Sequence, residues 1–307
     1  MKKTGTFRIM LAVLTVAAVV STLFGCGRRR SNEYCGEGVQ ALNAGHYSEA
    51  VDFFTLALEA DPQNPSAYLS RGVCRLKMEM YPEALTDFET VLTSQPGDLD
   101  AKRGRGEAYL GLRQWEQAVA DFDFVVRAEP FDLFSRNNRG YALSNLGRFD
   151  EALDDFNFCV KENPACALFY HNRGSLLRKT DKPTEALADL SKAVELDPKN
   201  PMLYTSRGRM FYDTGQWDEG LADFNRAIEL DNRFALAYKL RGLANKSLGK
   251  WDEAFADYTK AIELYPNDPE SWFERAATAK QLGKEEQYNT DMARFNELSD
   301  DAESKTP

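Results

Sequence analysis

ALAYKLRGLANKSLGKWDEAFADYTKAIELYPND, residues 235–268, holds two helical patterns split by a breaker and closed by a proline. In the second half Ala254, Tyr258, Ala261, Ile262 and Tyr265 recur at the spacing that gathers side chains on one helix face. The first half carries Tyr238, Leu240, Leu243, Ala244 and Leu248, a second apolar surface at helical spacing. Gly249 ends the first helix, Asp252 and Glu253 put negative charge in the first turn of the second, and Pro266 forbids continuation. Gly242 lacks a side chain and so admits a close neighbour. A lone hairpin of this kind cannot bury both apolar faces, so it needs copies of itself.

The copies are present. Moving back from Gly242 in steps of 34 residues reaches Gly208, Gly174, Gly140, Gly106, Gly72 and Gly38 without an insertion. Ala254 falls on Ala186, Ala152, Ala118, Ala84 and Ala50, with Gly220 the exception. Tyr258 falls on Phe224, Leu190, Phe156, Phe122, Phe88 and Phe54. Pro266 falls on Pro198, Pro164, Pro130, Pro96 and Pro62, with Asn232 interrupting the series.

Period and residue types together resemble the tetratricopeptide repeat. The resemblance covers residues 31–302 as eight units: 31–64, 65–98, 99–132, 133–166, 167–200, 201–234, 235–268 and 269–302. It implies an all-α, right-handed superhelical solenoid of helix-turn-helix units, each touching only its neighbours. The last unit drifts, with Ala276, Tyr288 and Met292 at the glycine, alanine and aromatic places. Its polar second helix suits a terminal cap. A short tail, 303–307, follows.

Residues 1–25 are of another kind. Lys2, Lys3 and Arg8 precede an apolar run from Ile9 to Phe24, the pattern of a secretory signal peptide. Leu23-Phe24-Gly25-Cys26 resembles the lipobox of bacterial lipoproteins, which implies a lipid on Cys26, and residues 26–30 then form a short basic linker. An uncleaved anchor is the alternative, although a comfortable span takes about 20 apolar residues. Arg28, Arg29 and Arg30 balance the positive charge on the other side of the run and leave orientation undecided. Either way the expectation is a protein tethered to a membrane of the cell envelope, facing the periplasm or exterior.

Residues 1–25 carry three positive and no negative side chains, so their removal takes the net charge from −10 to −13. That acidity argues against nucleic acid as a partner. The five cysteines show no disulfide framework: Cys74 and Cys159 take small core places, Cys35 lies on a first helix and Cys166 ends a unit. Cys159, Cys166 and His171 fall at a core place, a turn and a helix face, so no metal site is expected. Cofactors and small-molecule substrates have no motif here. An active site is a singular constellation, whereas nearly every prominent acid and arginine in this chain recurs by unit. The glycines recur at the repeat period rather than forming a phosphate loop. A binding protein is expected, not an enzyme.

One recurrence departs from the family pattern, which has leucine before the glycine of the first helix. Here Arg71, Arg105, Arg139, Arg173, Arg207, Arg241 and Arg275 stand there, each followed 16 residues later by Asp87, Asp121, Asp155, Asp189, Asp223, Asp257 or Asp291. The first unit has neither member, with Glu37 and Phe53 at those places. Their joint presence and joint absence point to a structural charge pair within a unit or between adjoining units. The arginine fork suits such a pair because it can hold a carboxylate through two parallel hydrogen bonds.

In tetratricopeptide proteins the first helices line a concave groove that takes partner segments, so the resemblance implies other proteins as partners. The inward positions of the first three units offer Cys35, Val39, Leu42, Leu69, Val73, Leu76 and Leu110, with Lys77, Arg103, Asp100 and Glu107 cancelling in charge. Those of units four to seven offer Asn137, Asn138, Tyr141, His171, Asn172, Arg178, Lys179, Arg209, Tyr212, Lys239 and Lys246 against Asp213 alone. The expectation there is an acidic segment, with the asparagines matching an extended backbone. The lysine–asparagine clamp with which chaperone-binding members hold a terminal carboxylate is absent. By architecture the chain resembles outer-membrane lipoproteins that assist assembly of envelope complexes; an anchored adaptor that recruits periplasmic enzymes is the alternative.

Overall fold

The computed structural model describes residues 27–303, which form helices joined by short turns. In chain order these are α1 (27–43), α2 (Tyr47–Ala60), α3 (Pro65–Lys77), α4 (Tyr81–Ser94), α5 (Leu99–Gly111), α6 (Trp115–Ala128), α7 (Leu133–Asn145), α8 (Phe149–Glu162), α9 (Ala167–Lys179), α10 (Pro183–Leu196), α11 (Pro201–Asp213), α12 (Trp217–Leu230), α13 (Ala235–Ser247), α14 (Trp251–Leu264), α15 (Pro269–Gln281) and α16 (Glu285–Glu303). The fold is all-α, each repeat one helical hairpin. The signal peptide, Cys26 and residues 304–307 lie outside the described residues. Among the described residues no helix is long and apolar enough to cross a membrane.

Two readings at the ends need correction. Arg28, Arg29 and Arg30, expected in a linker, stand in the first turn of α1, where Arg29 Nε donates to Glu33 Oε1 one turn on at 3.3 Å. At the other end α16 continues to Glu303, so the helix enters the expected tail. Its face is less wet than its composition suggests, because Phe295 packs on Phe273 with ring centroids 5.3 Å apart.

The chain divides into two compact units at Ala152–Leu153, inside α8. Each builds its core by the same device. The second helix of one hairpin packs both on its own first helix and on the first helix of the next. Phe224 of α12 thus shares a cluster with Leu240 and Ala244 of α13, and Phe88 and Val91 of α4 share one with Ala101 of α5. The repeated alanine and aromatic are fully buried, as at Ala254 and Tyr258. Glycine is what admits the ring: a Cβ on Gly242 would lie 2.8 Å from Tyr258 Cε1, inside contact distance. Within both units successive first helices touch, whereas successive second helices do not. The first helices are therefore on the crowded side of the stack.

Turn chemistry follows the same period. Gly249 sits at φ +74°, where a left-handed residue closes the first helix, but Glu79, Arg113 and Asp181 hold that conformation at φ 57–59° without glycine. The last residue of a repeat caps the next first helix: Asn64, Asp98, Asp132, Asn200 and Asp268 each accept from backbone N–H groups of the first turn.

The arginine–aspartate recurrence forms rungs. Arg71, Arg105, Arg173, Arg207, Arg241 and Arg275 each direct Nε and Nη2 at the carboxylate 16 residues on. Arg173 shows the type, with Nε to Asp189 Oδ2 at 2.7 Å and Nη2 to Oδ1 at 2.8 Å. Of the remaining pair, Arg139 lies in one compact unit and Asp155 in the other. The third nitrogen reaches backward to the preceding repeat: Arg71 Nη1 donates to Thr55, Arg139 Nη1 to Asp123, Arg173 Nη1 to Asn157, Arg241 Nη1 to Asn225 and Arg275 Nη1 to Thr259, at 2.7–3.2 Å. One guanidinium thus ties its own hairpin to the previous one. A tyrosine or tryptophan three residues earlier covers the fork at Arg71, Arg173, Arg207, Arg241 and Arg275, with centroid distances of 5.0–5.7 Å. The backward acceptor went unread in the sequence, although an oxygen-bearing residue recurs there at Thr55, Glu89, Asp123, Asn157, Ser191, Asn225 and Thr259.

Candidate partner-binding face

First helices present the same helix positions at each step, so side chains on neighbouring first helices meet in register. In the second compact unit His171 Nε2 lies 2.8 Å from Ser206 Oγ, Arg178 Nη1 donates to Asp213 Oδ2 at 2.9 Å, and Tyr212 Oη lies 3.2 Å from Ser247 Oγ. All three links span 35 residues, one repeat plus one residue. Each joins a residue on one first helix to its neighbour on the next, lacing α9, α11 and α13 together along this face. Burial pushes the pKa of His171 below its ordinary value, against an opposing hydrogen bond with Asn172.

The positive row expected over units four to seven is largely neutralised. Arg178 and Arg209 both bind Asp213, the latter from Nε to Oδ1 at 3.0 Å. Lys239 Nζ meets Glu270 Oε2 at 2.8 Å and Asp268 Oδ2 at 3.1 Å. Burial alone would lower the Lys239 pKa, but these two acids outweigh it and hold the amine above its usual range. Lys246 binds Glu274. Glu270 and Glu274 were overlooked because they belong to the last repeat, 31 and 28 residues beyond the lysines they meet. Lys179 is exposed, yet partial desolvation of its amine, with the charge of Arg178, holds its pKa below the ordinary value.

In the first compact unit Asn137 is a correction of a different kind. It is 2% exposed, packed into the core side of α7, so it presents no amide for a partner backbone. Asn138, the next residue, is half-buried and accepts from Asn137 Nδ2 at 3.5 Å. Tyr141 is exposed and meets Trp115 edge-on, with centroids 6.0 Å apart. In the second unit Asn172 is half-buried. Arg103 gathers Asp100, Glu129 and Asp132, the last at 2.6 Å from Nε. Burial favours the neutral acid at Asp132, yet Arg103 and Ser135 prevail and keep its carboxyl below the usual range. The bond from Arg103 to the cap residue of the next helix recurs at Lys239 and Asp268, again 29 residues apart.

What the sequence reading missed is apolar. The second residue of the repeat is Phe134, Leu168, Met202 and Leu236 in units four to seven, against Asn32, Ser66 and Asp100 in units one to three. Phe134 is 63% exposed, and Leu168 and Met202 are 41% exposed. Periodicity could have found the row, since these residues share one inward-facing place.

A model of the tetratricopeptide repeat matches residues 35–98, 75–132 and 137–201. The chain belongs to the tetratricopeptide repeat family. Further models of the same repeat match residues 208–249, 235–268 and 257–291 of this tetratricopeptide protein. No curated protein matches it. Among solved structures it is similar to a tetratricopeptide repeat protein from Parabacteroides merdae, at 18% identity and a TM-score of 0.70 over 81% of this chain and 99% of that one. It is also similar to the Cut9–Hcn1 hetero-tetramer of the APC/C, at 16% identity and a TM-score of 0.66 over 86% of this chain and 52% of that one. A third likeness is to MamA from Desulfovibrio magneticus, at 20% identity and a TM-score of 0.52 over 55% and 96% of the two chains. At such identities the likeness is one of fold.

Proposed function

We propose that this tetratricopeptide repeat protein is a membrane-anchored interaction scaffold of the bacterial cell envelope, which holds segments of partner proteins on the face of its first helices. The observation that carries the reading is the apolar row. Leu168 and Met202, each 41% exposed, recur one per repeat beside the polar links that hold the first helices in register. A rigid row of exposed apolar side chains loses water when a partner covers it, at no cost in reordering the scaffold. The ladder aspartates, by contrast, are buried and bonded, so the rungs are architecture.

Anchoring is supported by the basic and apolar leader and by the lipobox-like residues ending at Cys26. Because α1 already runs from residue 27, a lipid on Cys26 would join the first repeat without a flexible spacer. Two experiments test the reading. Cys26→Ser should abolish labelling by a fatty-acid analogue and leave an uncleaved precursor; a wild-type protein that never takes up label refutes the anchor. A photo-crosslinker at Met202 should capture partner protein in intact cells, while one at Glu195, exposed on α10, should not. Capture from Glu195 alone refutes the first-helix face.

A further inference from the structure

Among the ion pairs of the second compact unit, the cluster at Asp213 inverts the ladder's arrangement. A ladder arginine spends both Nε and Nη2 on a single carboxylate. On the partner-facing side two arginines share one: Arg178 donates to Asp213 through Nη1 alone and Arg209 through Nε alone among the described hydrogen bonds. The side chains are 34% and 39% exposed, and that of Asp213 is 28% exposed. Two guanidinium charges against one carboxylate leave a surplus of positive charge. A guanidinium binds a carboxylate best along an edge with two parallel N–H groups. Here the Nη1–Nη2 edge of Arg209 and the Nε–Nη2 edge of Arg178 make no bond to Asp213. Asp213 meanwhile holds both forks in place, which lowers the entropy a second carboxylate must remove on binding.

The surroundings say what accompanies that carboxylate. Met202 and Arg209 are seven residues apart on α11, which puts them on one stripe of the helix about 10 Å apart. In a polyproline II segment, with three residues per turn, side chains three residues apart return to the same face and span about 9 Å.

We infer that Arg178 and Arg209, oriented by Asp213, form a subsite for an acidic side chain of a partner segment in polyproline II conformation that places an apolar side chain three residues away on Met202. The inference rests on the first-helix face being the partner face. It commits the subsite to an aspartate or glutamate side chain rather than to a chain terminus.

The test is an NMR titration of the isotopically labelled protein, residues 27–307, with three peptides, a method that reads millimolar affinities. The first is acetyl-Glu-Ser-Ser-Leu-Ser-Ser-Glu-amide, which offers the spacing in both directions. The second replaces both glutamates by glutamine. The third, acetyl-Ser-Ser-Leu-Ser-Ser with a free carboxyl end, offers only a terminal carboxylate. The glutamate peptide should shift the Nε–H signals of Arg178 and Arg209 and bind at least tenfold tighter than either other peptide. Arg209→Gln and, separately, Arg178→Gln should remove that preference while leaving the remaining spectrum dispersed. Equal affinity for the glutamate and glutamine peptides, binding by neither, or preference for the free terminus overturns the subsite. If the Met202 crosslinker captures a partner and Arg209→Gln leaves capture unchanged, the subsite falls and the scaffold stands. If Met202 captures nothing, the scaffold reading falls whatever the peptides do.

Discussion

Replacing Arg173 by leucine should reveal what a rung contributes, and the cost can be worked from its surroundings. Asp189 is 7% exposed and receives Nε and Nη2 of Arg173 at 2.7 and 2.8 Å. No other cation pairs with it among the described salt bridges. Arg173→Leu therefore strands a nearly buried carboxylate, a change that costs about 3 kcal/mol after allowing for the partial exposure of the arginine. Asp87 makes the control. When Arg71 is removed, Arg75 Nη1 still holds Asp87 Oδ2 at 2.6 Å, so Arg71→Leu should cost about 1–2 kcal/mol. Because repeat arrays unfold in segments, a single melting temperature mixes the two sites. Native-state hydrogen exchange reads them separately, at α10 for Arg173→Leu and at α4 for Arg71→Leu. The first should raise local opening by roughly two orders of magnitude and the second by about one. Arg173→Leu combined with Asp189→Leu should return to within about 1 kcal/mol of the wild type, since a well-packed apolar pair replaces an ion pair at little cost. Equal effects of the two single changes, or a double variant as weak as Arg173→Leu, would show that the rung is not an electrostatic unit.

Two further outcomes are expected. Tyr258 is the one aromatic of its series that carries a hydroxyl, fully buried and without a hydrogen-bond partner among the described residues, so Tyr258→Phe should raise stability by about 1 kcal/mol in urea titration; a loss of stability would mean that the hydroxyl is satisfied. His171 has a pKa lowered by burial, so the folded state binds fewer protons than the unfolded chain, and its contribution is present above the unfolded pKa and lost as pH falls through the folded one. Hydrogen exchange in α9 and α11 should therefore speed up between pH 7 and pH 5, after correction for intrinsic rates, more in the wild type than in His171→Gln; identical pH responses would exclude His171 as the group responsible.

The sequence by itself determined the hairpin, its period and its core. Helix, turn and cap signals act over a few residues, and a 34-residue recurrence repeats them until each apolar face has only one kind of neighbour to bury against. The spacing of Gly242 and Tyr258, and of Arg173 and Asp189, could be read for the same reason: both partners sit in one hairpin, where connectivity leaves little freedom. Tertiary structure decided whatever depends on how one hairpin is staggered on the next. That stagger brings Lys239 to Glu270 and Lys246 to Glu274, and so neutralises charges that looked unopposed along the chain. It also sends the third nitrogen of Arg173 back to Asn157 and turns Asn137 into the core while leaving Met202 in water. Composition counts charges one residue at a time, whereas an ion pair depends on distance and burial, and both are set only when neighbouring repeats pack.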